Sequence, residues 1–225
     1  MAPAMIPNTN LVDLTLPMNS ELTPSPGEPA LELLPLNDYE PDGYRISKVI
    51  MGTHYGTHMD APCHFIPGAP GMESIRLSLT VGPTQKIDLG ILDPKSQITR
   101  DMLEPYELSI SSPNRVVIAT GWDERIRSPE YYTEQPSLTY EAMSWLVLKG
   151  VCLIGVDMPS LSLSEPASTH RAAAESEVVV LESLVNLRHL RTNPFFLIAL
   201  PLAIAGADGC PTRVIAVEFN HLATS

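Results

Sequence analysis

Three of the chain's six histidines fall inside one stretch, His54-Tyr-Gly-Thr-His58-Met-Asp60-Ala-Pro-Cys-His64, and all three share even numbering with its aspartate. Successive side chains of an extended backbone point to opposite faces. His54, Gly56, His58, Asp60, Pro62 and His64 would then line one face, and the mostly apolar Tyr55, Thr57, Met59, Ala61, Cys63 and Phe65 the other. One face is suited to chemistry and the other to packing. At a rise of roughly 3.3 Å per residue, His58 and Asp60 stand about 7 Å apart at Cα, a comfortable separation for two ligands of one ion. His54 and His58 would be about 13 Å apart in a straight strand, at the limit for metal–nitrogen bonds of about 2.0–2.1 Å. A His-x-x-x-His helix would also unite them, but Gly56 and β-branched Thr57 disfavour a helix. The spacing therefore predicts a bend at Gly56 that folds His54 back beside His58. His64 lies beyond Pro62, so it is expected near an ion without binding it, a place for a general acid/base. Imidazole with carboxylate suits zinc, manganese and iron alike. The same pattern can also arise in a polar loop that holds no metal.

A core large enough to hold such a site is available. The chain has 225 residues, 44% hydrophobic and 18% charged, which fits one sizeable domain. Its net charge of -12, with the acid scattered along the chain, disfavours nucleic acid and anionic membrane as partners. Three cysteines, odd in number and far apart, make no disulfide framework and read as free thiols of a reducing compartment. Cys63 adjoins His64, yet the strand alternation turns it away from a nucleophilic role. The first residues lack the basic and long apolar regions of a secretory leader. No apolar run reaches the ~20 residues of a membrane span. A soluble, cytoplasmic protein is expected.

Along the chain, residues 1–10 read as a loose arm and Leu11–Leu16 as a first strand. Pro17–Pro41, with six prolines, reads as a long surface loop with a turn at Ser25–Glu28. Strands are predicted at Tyr44–Met51, Thr84–Leu89, Arg115–Thr120, Val151–Asp157, Phe195–Leu200 and Arg213–Phe219. Ile98–Tyr106 is predicted as a short helix capped by Thr99. A second helix is capped by Thr139 and closed by Gly150. A third is predicted from about Thr169 to Leu187. Helices running straight into apolar strands mark an α/β chain, and no linker or internal repeat divides it. His170 and Glu182 would lie about 120° apart around that third helix and about 18 Å apart along it. They converge only if His170 precedes the helix on a loop that folds back. By itself Glu182 reads as a solvated surface carboxylate.

The histidine stretch resembles the signature of the metal-dependent cyclase-like hydrolases, a family that includes bacterial kynurenine formamidases and isatin hydrolases. The likeness runs on through Thr120-Gly-Trp122, Leu153–Ser160, the His170/Glu182 pair, Ala199–Leu202 and Ala205–Asp208. It implies a swivelling β/β/α single domain, a mixed sheet with a barrel-like core and flanking helices. It implies that His54, His58 and Asp60 ligate a first divalent ion, and that Asp60 bridges to a second held by His170 and Glu182. His64 matches the family's proton carrier. The resemblance further implies a homodimer or homotetramer holding up to two Zn2+ or Mn2+ ions per chain. The expected activity is hydrolysis of a small amide, aryl formamide, lactam or lactone by metal-bound hydroxide, with His64 as general acid/base. A metal-dependent cyclase or dehydratase and a non-catalytic metal-binding module are the alternatives. Ser25 stands where kynurenine formamidases usually place a tryptophan, which predicts poor use of N-formylkynurenine. Asp157 is a candidate to orient a ligand, and Trp122 to line the pocket.

Overall fold

A computed structural model describes residues 9–19, 22–110 and 114–219. Its strands are β1 (Thr9–Asp13), β2 (Glu32–Asn37), β3 (Ile46–Ile50), β4 (His58–Asp60), β5 (Val81–Asp88), β6 (Gln97–Ile98), β7 (Arg115–Ala119), β8 (Ser137–Leu138), β9 (Leu153–Val156), β10 (Val179–Glu182), β11 (Phe195–Pro201) and β12 (Gly209–Phe219). Eight of them form one mixed sheet in the order β1-β12-β11-β5-β7-β9-β10-β4, and β4 also pairs with β12. That last pairing closes seven strands into a barrel and leaves β1 on its outside. β5, β7, β9 and β10 run parallel; β4, β11 and β12 join them antiparallel.

The near-continuous apolar runs of β7, β9 and β10 follow from burial on both faces. In β7, Val117 and Ala119 enter the barrel interior with Met59, Leu153, Leu181 and Leu197. Val116 and Ile118 point outward against Met143, Leu146 and Ala173 of the covering helices. Each such Val, Leu, Ile or Met side chain contributes about 1.5–3 kcal/mol by leaving water. The helix Tyr140–Leu148 begins as expected, with Thr139 Oγ1 accepting from Ala142 N at 3.1 Å. Trp122 is core rather than pocket wall, 1% exposed, its indole N–H donating to Tyr131 O at 2.9 Å. No described helix is long and apolar enough to cross a membrane.

Three expectations are corrected. The predicted third helix is two elements, a helix over Pro166–Glu175 and strand β10. Glu177 takes a left-handed φ of 54° between them, and the β-branched run Val178–Val180 favours a strand. His170 therefore lies inside a helix, and Glu182 is a buried strand residue at 4% exposure rather than a solvated one. Second, the proline-rich loop contains β2, which pairs with β3 as a two-stranded hairpin with an irregularity between Pro35 and Asn37. A ribbon open at both edges tolerates a proline that a central strand would reject. Third, Thr9 and Asn10 of the predicted arm belong to β1, paired with Phe219 and Glu218; residues 1–8 lie outside the described residues.

Candidate metal centre

The shortest strand of the barrel carries the site. β4 is bonded on both sides, with Glu182 opposite His58 on β10 and Gly209 opposite Asp60 on β12. Met59 and Leu181 point into the barrel, so by strand alternation His58, Asp60 and Glu182 point out of it together. The helix Pro166–Glu175 lies over that outer face and brings His170 down beside Glu182. Gly56 has φ +68°, a left-handed conformation that glycine adopts without strain. It supplies the expected bend, and the His54 and His58 rings lie 4.9 Å apart. Thr57 holds the bend to the barrel by donating to Ser183 O at 2.5 Å and accepting from Leu16 N at 2.8 Å. Only residues 58–60 of the stretch form strand. Pro62–His64 turns as a 3-10 helix, and this turn, not continued alternation, brings His64 to a ring distance of 4.0 Å from His54.

Hydrogen bonds fix the rings. His58 Nδ1–H donates to Gly56 O at 2.9 Å, so its Nε2 carries the lone pair. That Nε2 faces Glu182 Oε2 at 3.2 Å and Asp60 Oδ1 at 3.4 Å. It is buried and lacks a hydrogen-bond partner among the described residues. His170 repeats the design: Nδ1–H donates to Pro166 O at 2.7 Å, and Nε2 faces Glu182 Oε1 at 3.0 Å. His54 Nδ1 lies 3.1 Å from Asp60 Oδ1. Lone pairs aimed at carboxylates repel unless a cation sits between them. The proton affinities say the same. Burial works against a charged His58, but the negative charge of Asp60 and Glu182 beside its Nε2 raises its pKa well above the usual value. His170 is likewise raised, against burial, to about 9 by Glu182. Asp60 and Glu182 are both lowered despite their burial. The cluster demands positive charge, and a divalent ion supplies it without the protons.

Two sets of donor atoms come within 4.8 Å of one another, His54–Asp60–His64 and His58–Asp60–Glu182. They share Asp60, and His170 adjoins the second through Glu182. Glu182 Oε1 also accepts from Leu161 N at 2.6 Å, which orients the carboxylate. The neutral-imidazole and carboxylate donors, the orphaned Nε2 and the shared aspartate all fit a divalent metal. Asp208 is a site residue that sequence reasoning passed over. It lies 3.4 Å from His54 Nε2, 3.7 Å from His64 Nδ1, and accepts from Thr53 Oγ1 at 2.9 Å. Its segment, Ala205–Asp208, stood in the family likeness with no role given to the aspartate. Asp157 serves elsewhere: its carboxylate accepts from Thr120 N, Gly121 N and Thr120 Oγ1 at 2.6–2.8 Å, and burial holds its pKa up to about 7. It orders the end of β7 rather than a candidate ligand. Cys63 Sγ donates to Ala207 O at 3.7 Å, and burial raises its thiol pKa, which does not suit a nucleophile.

Gly209 shows how tightly the centre is built. A Cβ there would come within 2.6 Å of the His54 ring. Gly209→Ala is therefore expected to push His54 away from Asp60 and lower metal content by more than half, with the fold retained. Elemental analysis and circular dichroism check this; full metal content in the variant would place His54 outside the metal shell.

A cavity of about 330 Å³ opens beside the cluster. Asp60 and His170 lie on its lining, with Phe65 stacked on His170 at 4.4 Å. Its other walls are mainly apolar, including Pro62, Ile75, Leu79 and Val178–Val180. Residues 12–162 match the model of the Cyclase family. This chain belongs to the cyclase family. A kynurenine formamidase of Bacillus anthracis is similar to this cyclase-family chain, 30% identical over 207 residues that cover 91% of the chain and 95% of that protein. The crystal structure of an isatin hydrolase bound to the product analogue thioisatinate superposes with a TM-score of 0.81 at 24% identity, covering 94% of this chain and 93% of the other. Isatin hydrolase A from Labrenzia aggregata, bound to benzyl benzoate, gives a TM-score of 0.80 at 23% identity, covering 94% of each chain. At that identity the solved structures establish the fold.

Proposed function

We propose that this cyclase-family chain is a metal-dependent hydrolase of a non-peptide C–N or related acyl bond, with a small aryl formamide, amide, lactam or lactone as substrate. One observation carries the reading: the buried, unpartnered His58 Nε2 faces two carboxylates beside a mainly apolar cavity. The kinship to kynurenine formamidases supports the same bond class. His54, His58, Asp60, His170 and Glu182 would hold up to two Zn2+ or Mn2+ ions. A divalent ion there would acidify water and polarise a carbonyl. The chain's own groups do the rest. His64, open to solvent with Nδ1 toward Asp208, takes a proton from the attacking water and returns it to the departing nitrogen or oxygen. Burial lowers the His64 pKa, which keeps the ring neutral and able to accept near neutral pH. Phe65 and the apolar walls hold the aryl group and exclude bulk water. Ser25 sits in a turn closed by Glu28 N donating to Ser25 O at 2.9 Å and offers no aromatic wall, so the reading favours aryl substrates other than N-formylkynurenine.

The test is turnover of formyl-anilides, isatin and simple lactones by protein of measured metal content. Products heavier by one water, lost on chelation and restored by Zn2+ or Mn2+, are expected. Products lighter by one water would instead make the chain a dehydrating cyclase. Full activity without metal would end the reading altogether.

The reading includes self-association. The β2–β3 hairpin exposes Leu33, Leu34, Leu36, Ile46 and Val49. An isolated two-stranded ribbon is marginal in water, and clustered exposed apolar side chains mark interaction surfaces. A homodimer or homotetramer joined through the hairpin is expected in sedimentation equilibrium, and Leu33→Lys/Val49→Lys should dissociate it. A monomer for the unsubstituted chain at micromolar concentration would contradict this.

A further inference from the structure

The rim of the cavity carries charge that the hydrolytic reading does not use. Among the described residues lining the cavity, Arg76 is the one permanent cation. Its Nη2 donates to Glu177 Oε2 at 2.7 Å, with both side chains mostly exposed. Glu177 is held there by its left-handed turn between the helix Pro166–Glu175 and β10. An exposed ion pair of this kind contributes at most about 1 kcal/mol, so Arg76 can exchange its partner at little cost. A guanidinium presents a planar fork that a substrate carboxylate matches with two parallel hydrogen bonds. The cavity beneath is mainly apolar, and the buried Asp60 and His170 lie on its lining. A substrate with one aromatic ring would therefore place its acyl group at the metal centre and a remote anion at the rim.

The geometry points to Arg76 as the specificity-determining residue of this cavity, selecting aryl acyl compounds that carry a carboxylate remote from the scissile carbonyl. Glu177 is the competing internal anion. The assignment deepens the hydrolase reading and rests on it for the word substrate, but the binding claim stands separately.

Binding and turnover are measured on the metal-loaded full chain. By isothermal titration, benzoate should bind about tenfold more weakly to Arg76→Ala than to the unsubstituted chain, the scale of one lost charge-assisted bond. Benzyl alcohol, of the same size without the charge, should lose less than about twofold. Arg76→Lys should recover part of the benzoate affinity, and Glu177→Gln should raise it by removing the competitor. In turnover, the ratio of kcat/KM for 4-formamidobenzoate to that for formanilide should fall about tenfold in Arg76→Ala and rise in Glu177→Gln. Equal losses for benzoate and benzyl alcohol, or benzoate affinity indifferent to Arg76, would overturn the assignment. If neither formamide is hydrolysed while benzoate still follows Arg76, the hydrolase reading falls and the anion site stands. If both are hydrolysed at a ratio indifferent to Arg76, the reverse holds.

Discussion

His58→Ala should strip the protein of metal and reduce turnover to less than about a hundredth, a larger loss than removal of an outer-shell partner brings. The ring is 2% exposed, and its Nδ1–H is committed to Gly56 O. Its lone pair is therefore fixed on the point where Asp60 and Glu182 converge. Alanine leaves those two carboxylates facing a void with nothing between them. Removing one partner from a buried charged cluster destabilises by roughly 3–5 kcal/mol, because the remaining charge stays unpaired. The metal-free variant should accordingly unfold at lower urea concentration than the metal-free parent. Asp60 and Glu182 should also take up protons at higher pH, since both owe part of their low pKa to His58. Elemental analysis, urea unfolding and turnover read the three consequences independently. A variant that keeps its metal would show His58 to be a structural histidine and move the centre elsewhere.

What the sequence made legible depended on how local the determining physics is. The bend at Gly56, the outward pairing of His58 with Asp60 and the strand-length apolar runs follow from backbone geometry within a few residues, and they could be read directly. Glu182 could not. Its role depends on a register that sets it opposite His58 across two strands far apart in the chain, and no spacing rule contains a register. The helix expected over it failed at Glu177, where one left-handed residue ends the helical stretch and a β-branched run begins. The family resemblance supplied Glu182 as a candidate where periodicity argued against it. Asp208 was hidden for a related reason. A Gly-Ala-Asp-Gly sequence is ordinary turn chemistry, and only the pairing of Gly209 with Asp60 delivers that acid to two histidines. The barrel itself was beyond local reading, since its closure rests on a three-residue strand.

His64→Asn tests whether the fourth histidine of this cluster holds metal or moves protons. Two facts pull in opposite directions. His64 reaches within a donor set with His54 and Asp60, as a ligand would. Yet its side chain is 31% exposed, and its closest charged neighbour is Asp208, at 3.7 Å and itself 46% exposed. Two of the proposed ligands are built differently: His58 and His170 are buried, each with Nδ1–H tied to a backbone carbonyl. His64 has no such anchor among its described hydrogen bonds, which suits a ring that must turn between two proton partners. Asparagine keeps a polar group toward Asp208 and removes the titration. Metal content near that of the unsubstituted chain is therefore expected, with kcat lower by roughly 10²–10⁴, the range for a lost general acid/base. The pH–rate profile carries the sign. A base must be neutral to accept, so activity falls as pH drops through its pKa, and burial sets that pKa below the ordinary ~6.5. The asparagine variant should lose this acidic limb. If it loses its metal as completely as His58→Ala does, His64 is a ligand and the proton travels by another route.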